Sequence, residues 1–112
     1  MPLPEFLAAF PSLELPFPET AVATSAMRTE HGLAVFFTIK EDTELPPHAH
    51  GAQWGTVIEG SIELTMNGET RTYGPGESYD IPAGTVHAVK VPAGSLLLDV
   101  FEENDRYALK SG

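Results

Sequence analysis

The chain contains no cysteine, few basic residues and no long hydrophobic run. Without cysteine it forms no disulfide, and histidine, carboxylate or amide groups must hold any metal ion. Its 6 basic residues face 16 acidic ones, a formal net charge of −10 that repels phosphate backbones and anionic membranes. No apolar run approaches the ~20 residues that span a bilayer, and the first residues lack the basic start of a secretion signal. These absences predict a cytoplasmic protein that binds neither nucleic acid nor membrane.

The first nineteen residues differ in composition from the rest. The chain has 112 residues, 42% of them hydrophobic, which is enough for one packed core. Residues 1–19 carry prolines interleaved with phenylalanines and leucines. Proline at this density excludes a long helix or an interior strand, whereas the apolar side chains favour burial. We predict an apolar arm over residues 1–19, packed on a barrel with a short C-terminal tail over residues 20–112, or on a partner's barrel.

Short strand patterns separated by turn residues follow from residue 20 onward. Asn67-Gly68 is typical of a two-residue hairpin, because a type I′ turn needs positive φ at both central residues. Other glycine and proline clusters mark further breaks. The predicted strands cover residues 20–29, 33–40, 53–59, 61–66, 69–73, 78–81, 86–91 and 95–101. This pattern, with no amphipathic helix of useful length, predicts an all-β sandwich or barrel.

Two of the four histidines stand one residue apart in the segment PPHAHGAQWG. Alternate residues of an extended chain face the same way, so His48 and His50 can share one ion. Gln53 has the opposite parity, and Gly51-Ala52 must bend to bring it to the same face. The alternative is a solvated turn before a strand.

His87 lies further along, in the segment GESYDIPAGTVHAV. In a strand it shares one face with Val89 and Val91. An imidazole among apolar neighbours needs a ligand or a hydrogen bond, because an unpaired buried polar group is costly. His87 is therefore expected to have either a ligand or a hydrogen-bond partner.

The spacing of these residues resembles the two sequence motifs of the cupin family. The second motif, G-x5-P-x-G-x2-H-x3-N, is matched by Gly76, Pro82, Gly84 and His87, with Val91 in place of the asparagine. The first motif, G-x5-H-x-H-x(3,4)-E-x6-G, is matched by His48, His50 and Gly60, with Gln53 in place of the glutamate and Asp42 in place of the opening glycine. The resemblance implies a single-domain cupin jelly-roll, a double-stranded β-helix barrel, with metal ligands in its mouth.

Carried over to this chain, the cupin ligands become His48, His50, Gln53 and His87. Three imidazoles and an amide leave the charge of a divalent ion uncompensated, which makes the ion more electrophilic. These ligands suit Zn, Ni, Mn, Fe and Cu alike, so one divalent transition metal of open identity is implied. Gln53 is alternatively a residue that supports the ligands or a plain strand residue, which leaves a three-histidine site.

The C-terminal segment LLLDVFEENDRY is similar to that of KdgF-type cupins, which convert 4,5-unsaturated uronates from pectin and alginate into linear keto sugars. The resemblance implies that the metal polarises a sugar oxygen, Asp99 moves a proton and Arg106 holds the uronate carboxylate. Arg28 is the alternative clamp. The candidates for the pocket walls are Phe101, Trp54 and Tyr79.

Fold alone does not fix function, so three hypotheses stay open. The first is a metal-dependent isomerase or lyase-like enzyme on a small, anionic sugar. The second is an Fe or Cu dioxygenase, and the third is a non-catalytic module that binds a small molecule. A homodimer is expected, because of the apolar arm and because Phe36 faces away from Val35 and Phe37.

Overall fold

Alternating apolar and polar residues form nine strands over residues 3–110, the part of the chain that this computed structural model describes. The ends of the predicted arm and tail, residues 1–2 and 111–112, lie outside it. The elements are α1 (Glu5–Ala8), β1 (Val22–Thr29), β2 (Gly32–Ile39), β3 (Thr43–His48), β4 (Gln53–Glu59), β5 (Ile62–Met66), β6 (Glu69–Tyr73), β7 (Ser78–Ile81), β8 (His87–Val91) and β9 (Leu96–Phe101). Within the described range no helix is long and apolar enough to cross a membrane.

The sequence patterns predict every strand except β3. Pro46 and Pro47 interrupt β3 and argue against a strand, but β3 is the edge of its sheet, where proline is tolerated. The pairing of β3 with β8 is irregular between Leu45 and His48. These two residues are an odd number apart yet line the same cavity, because the bulge resets the alternation of side chains.

The strands pair antiparallel in two sheets that enclose the core. One sheet has the order β1-β2-β9-β4-β7 and the other β3-β8-β5-β6. Inward residues of both sheets, such as Val57 and Leu97 from one and Ile62 and Leu64 from the other, are buried together. This arrangement is the predicted jelly-roll barrel. The hairpin prediction at β5–β6 is also confirmed, since Asn67 and Gly68 have φ of 54° and 76°.

The segment before β1 packs along its own barrel and meets the tail. Leu13 is buried and forms an isolated antiparallel bridge with Leu109. Two backbone bonds of 2.8 Å flank this bridge, from Glu14 N to the Ala108 oxygen and from Lys110 N to the Ser12 oxygen. Leu15 and Phe17 then reach the core and line the interior cavity. The two ends of the chain therefore close one side of the barrel together.

Candidate functional site

A cavity of about 80 Å³ lies inside the barrel and has two chemically different ends. Strand register places polar side chains at one end, namely His48, His50, Gln53, His87 and Asp99. The opposite end is lined by aliphatic side chains, among them Val22, Ile39, Ile62, Val91 and Leu97. A polar cluster inside a barrel needs mutual partners or a ligand.

The three predicted histidine ligands meet at the polar end. Their ring centroids lie 4.2 Å apart for His48 and His87, 4.9 Å for His50 and His87, and 5.3 Å for His48 and His50. One ring nitrogen from each lies within 4.8 Å of the others, close enough to share an ion. β3 and β8 position His48 and His87 as register partners, and His50 follows in the loop after β3.

Each of these imidazoles is held by a backbone carbonyl. The Nδ1 atoms bond to the oxygens of Pro46 for His48 (2.8 Å), Gly51 for His50 (2.7 Å) and Thr85 for His87 (2.9 Å). A carbonyl only accepts, so each Nδ1 carries the proton and donates it. Each Nε2 is left with its lone pair, which is the tautomer that binds a metal ion.

Burial also favours the uncharged form of two of these rings, those of His50 and His87. The pKa values of His50 and His87 are lowered, mainly because burial penalises the charged imidazolium, and in part because Arg106 carries a positive charge nearby. The backbone bonds oppose this shift without reversing it. Neutral imidazoles with free Nε2 atoms fit a divalent transition metal, so the group could hold one.

The bend expected at Gly51 is present, and the C-terminal segment holds it. Gly51 N donates to Glu103 Oε1 at 2.7 Å, and Ala52 N donates to Glu102 Oε2 at 3.1 Å. A Cβ at Gly51 would lie 2.8 Å from Glu103 Cγ, so only glycine lets the carboxylate approach this closely. Two glutamates just after β9 thus fix the loop between His50 and Gln53.

Asp99 lines the same cavity as the histidines and is fixed by two donors. It is 3% exposed, and its Oδ1 accepts from the Tyr79 hydroxyl at 2.6 Å and from Gln53 Nε2 at 2.9 Å. Because both donors use Oδ1, Oδ2 is left without a hydrogen bond from the described residues. Gln53 gives its amide N–H to this bond, which leaves its Oε1 for another partner.

The carboxyl group of Asp99 is tuned by this environment. Burial raises the pKa of Asp99 from 3.8 to about 6, although the bonds from Tyr79 and Gln53 lower it. Burial and the neighbouring carboxylate raise the pKa of Tyr79, so its hydroxyl stays protonated and remains a donor. A carboxyl group with a pKa near neutrality is suited to both taking and giving a proton.

Gly55 provides the space for this network and was not predicted as a site residue. It is the register partner of both Asp99 and Tyr79 in the five-stranded sheet. A Cβ there would lie 2.2 Å from Asp99 Oδ1 and 2.4 Å from the Tyr79 hydroxyl oxygen. Gly55 is thus required by close approach and not by a turn. A glycine inside a strand pattern was the signal for it.

Tyr107 brings the tail to the cavity, whereas Arg106, next to it in the chain, does not line the cavity and acts on His50 and His87 through its charge. The Arg106 guanidinium carbon lies 4.4 Å from the centre of the Tyr107 ring, and Arg106 Nε is buried without a hydrogen-bond partner among the described residues. Tyr107 lines the cavity and packs edge-on against Phe101 at 5.7 Å, as does the His50 ring. Phe101 lines the same cavity. Tyr107 was missed, because the tail has no periodic pattern.

Three other expected pocket residues lie elsewhere. Trp54 is 44% exposed, because it follows the inward Gln53 on β4 and so points outward. Arg28 is exposed on β1 and does not line the cavity. Tyr79 is buried behind Asp99 and supports that carboxylate instead of forming a wall.

Two antiparallel sheets around an interior cavity with three convergent histidines define a small jelly-roll barrel with a candidate metal site. The family model described as the cupin domain matches residues 35–101, more than half of the chain. The chain therefore belongs to the cupin family.

Solved structures and a curated relative agree with this assignment. KdgF from Halomonas sp. is 26% identical with a TM-score of 0.68, covering 80% of this chain and 83% of that one. An RmlC-like cupin from Shewanella frigidimarina is 24% identical with a TM-score of 0.66, covering 80% and 82%, and shows the fold alone. The mannose-1-phosphate guanylyltransferase ManC of Salmonella typhimurium is 36% identical over 62 residues, which are 55% of this chain and only 13% of that protein.

Proposed function

We propose that this cupin is a metal-dependent enzyme that acts on a small carbohydrate acid. The proposed reaction is the ring opening and isomerisation of a 4,5-unsaturated uronate. One observation carries the proposal: a buried carboxylate, fixed through a single oxygen, lies in the same cavity as three convergent imidazoles. The similarity to KdgF from Halomonas sp. supports the proposal. The C-terminal segment of this chain resembles that of KdgF-type cupins, and this resemblance implies the same reaction.

His48, His50 and His87 would hold the metal ion, with Gln53 Oε1 as the proposed fourth ligand. A divalent ion bound there would supply Lewis acidity toward a sugar oxygen. The proposed ligands are all neutral, so the cavity would favour an anionic substrate at its polar end. The metal is Zn, Ni, Mn, Fe or Cu, since imidazole and amide ligands suit each of them.

Asp99 is the proposed proton carrier. Its Oδ1 is held by Tyr79 and Gln53, so Oδ2 is the oxygen that would take the proton of the anomeric hydroxyl. As this proton leaves, the bond from C1 to the ring oxygen would break and C1 would become the aldehyde. Oδ2 would then return the proton to C4 of the resulting enolate, which leaves a ketone at C5. A pKa of about 6 leaves a usable fraction of both protonation states near neutral pH. The hydrogen bonds keep the carboxylate in one orientation during the transfer.

Arg106 is the proposed clamp for the substrate carboxylate. Its buried Nε–H has no partner in the described part of the chain, and its charge already acts on His50 and His87. An arginine donor with no internal acceptor is well matched to a carboxylate. Phe101 would then form an apolar wall beside the sugar.

The activity is tested by following the near-ultraviolet absorbance of an unsaturated uronate with metal-loaded protein. Wild type should remove the absorbance, and Asp99→Asn, which keeps the acceptor for Tyr79 but cannot carry the proton, should lose at least about a hundredfold in kcat. Full activity in Asp99→Asn would refute the proton-transfer role. Oxygen consumption that depends on added Fe(II), without loss of uronate, would favour the dioxygenase hypothesis.

A second candidate is a non-catalytic cupin that binds a small molecule. The cavity is about 80 Å³ and mostly lined by apolar side chains, whereas ligand pockets commonly measure ~300–1,000 Å³. Calorimetric binding of a ligand to metal-loaded protein, with no turnover of it, would favour this function over the first.

We further propose that the protein works as a homodimer on a small-molecule substrate. Its net charge of −10 disfavours nucleic acid and anionic membranes as partners. The cytoplasmic location expected from the sequence stays a prediction.

A further inference from the structure

Two of the three histidines are held by carbonyls close to paired strands. His48 donates to the oxygen of Pro46, which lies in β3 with it. His87 is the first residue of β8 and donates to the oxygen of Thr85, two residues before it. His48 and His87 are also register partners of each other. The pairing of β3 with β8 therefore fixes the backbone on which both rings stand.

His50 is supported in a different way. It lies in the loop of residues 49–52 between β3 and β4, and no residue of this loop pairs in a strand. Its Nδ1 donates to the oxygen of the next residue, Gly51, at 2.7 Å. The direction of that oxygen depends on the peptide group that joins Gly51 to Ala52. Contacts from outside the two strands must therefore orient the His50 ring.

Two adjacent glutamates just after β9 supply these contacts. Glu103 Oε1 accepts from Gly51 N at 2.7 Å, and Glu102 Oε2 accepts from Ala52 N at 3.1 Å. Glu102 N also donates to the Ala52 oxygen at 2.9 Å. The two side-chain bonds join residues 52 and 50 positions apart in the chain. The C-terminal segment thus sets the conformation of a loop far from it in sequence.

Both peptide groups that the glutamates hold are bonded on their other side as well. The Ala52 N–H and the Gly51 oxygen belong to one peptide group, and that oxygen accepts from the His50 ring. The Gly51 N–H and the His50 oxygen belong to the preceding one. That oxygen accepts from Gly84 N at 2.9 Å. Hydrogen bonds in such a chain polarise and strengthen one another, so each carboxylate acts on His50 through a single peptide group.

The charge of the chain makes this use of the two glutamates informative. Both are exposed, and adjacent carboxylates in a chain of net charge −10 repel each other, which favours separate, solvated side chains. Holding them also costs side-chain rotamer freedom. The two charge-assisted bonds from backbone N–H groups offset these costs. The glutamates are thus bonded to the loop, although their charge and freedom favour water.

We propose that Glu102 and Glu103 are positioning residues for His50: their carboxylates fix the two peptide groups of the loop, and the loop fixes the direction of the imidazole. A ring that is already oriented loses less freedom when it binds an ion, so the pair should strengthen metal binding. The inference rests on the proposed metal site and does not depend on the proposed reaction.

Metal affinity gives the first test, with Co²⁺ alone as the probe because its visible absorption reports on its ligands. Glu102→Ala and Glu103→Ala should each weaken Co²⁺ binding about tenfold. Glu103→Gln keeps an oxygen acceptor for the Gly51 N–H and should recover most of the loss. Unchanged affinity in both alanine variants would overturn the proposal.

Glu77→Ala is the matched control for charge. It removes one carboxylate and the same kind of bond, from Gly74 N to Glu77 Oε1 at 2.8 Å, at a residue that does not line the cavity. Its Co²⁺ affinity should equal that of the wild type. A loss as large as in Glu103→Ala would overturn the proposal, because the lost charge alone would then explain both.

Nitrogen NMR of the metal-free protein, at a pH where the rings are neutral, gives a second test. In wild type all three rings should carry their proton on Nδ1. In Glu102→Ala and Glu103→Ala the His50 ring should populate the other tautomer, whereas His48 and His87 keep theirs. A His50 ring that does not change, or three rings that change together, would overturn the proposal. This selective change in a protein that binds no Co²⁺ would refute the proposed metal site and still support the positioning role.

Discussion

The polar and apolar ends of the barrel interior are built from the same strands. The polar end holds the candidate site, and the apolar end belongs to the hydrophobic core. β8 contributes His87 to the polar end and Val91 to the apolar end, and β9 contributes Asp99 to one and Leu97 to the other. Along each strand, a candidate site residue lies only one or two inward positions away from a core residue. The strand supplies direction and spacing, and the side chain at each inward position decides which end it serves.

Burial affects the two ends in opposite senses. At the apolar end it stabilises the fold, because each aliphatic side chain leaves water. At the polar end it disfavours charge, lowering the pKa values of His50 and His87 and raising that of Asp99 to about 6. Ionised Asp99 therefore costs folding free energy at neutral pH. Burial at the apolar end therefore offsets the folding free energy that the ionised carboxylate at the polar end costs.

Removing a histidine should break the polar end most completely. Wild type is expected to hold about one divalent ion per chain, and His87→Ala should weaken the binding of that ion by at least about a thousandfold, since one of three imidazole ligands is lost. Elemental analysis and calorimetric titration on chelator-free protein measure this. Val89→Ala, on the same face of β8, should keep the ion; if it loses the ion equally, His87 is not acting as a ligand.

Truncation at the apolar end should have the converse effect. Leu97→Ala removes a buried side chain and should lower the free energy of unfolding by about 3 kcal/mol. Denaturant unfolding of metal-free protein gives this value. The variant should still bind its metal ion with unchanged stoichiometry. A loss of metal binding as large as in His87→Ala would show that the two ends are not separable.

Asp99→Asn should stabilise the metal-free protein above pH 6 while lowering kcat of the proposed activity at least about a hundredfold. The pKa of Asp99 is higher in the folded protein than in the unfolded chain, so folding favours its protonated form, and stability is lost as pH rises from about 4 through about 6. The gain in Asp99→Asn should be roughly 1–3 kcal/mol at pH 8 and vanish near pH 4. Unfolding at several pH values tests this, and an equal gain at both extremes would contradict it.

Tyr79→Phe should give the smallest effect. It removes one of two donors to Asp99 Oδ1 and should cost about 1 kcal/mol of stability. Because that bond lowers the pKa of Asp99, its loss should move the acid limb of the proposed activity to higher pH. Tyr73→Phe is the control, since the Tyr73 ring packs 5.5 Å from the Tyr79 ring and makes no bond to Asp99. A pH profile that moves equally in both variants would argue for a general packing effect.

Much of the fold could be predicted because it rests on local patterns. Strand alternation, the Asn67-Gly68 turn, the single residue between His48 and His50, and the motif that ends at His87 are all properties of short segments. β3 was missed because proline disfavours a strand in the interior of a sheet. β3 lies at the edge of its sheet, where proline is tolerated. The outward direction of Trp54 was available from its parity with Gln53, but the bend at Gly51 obscured which of the two faced inward.

The sequence by itself determined which residues alternate, where the chain turns and that His48 and His50 are spaced to face the same way, and the resemblance to the cupin motifs added His87. Only the tertiary structure decided that Tyr79, Gln53 and Asp99 share one oxygen, since their bonds join residues 20 and 46 positions apart. It also decided that Gly55 makes room for them and that Tyr107 reaches the cavity. The reason is physical: spacing along a strand follows from backbone geometry, whereas contacts between strands depend on register, bulges and sheet order, which the whole core sets together.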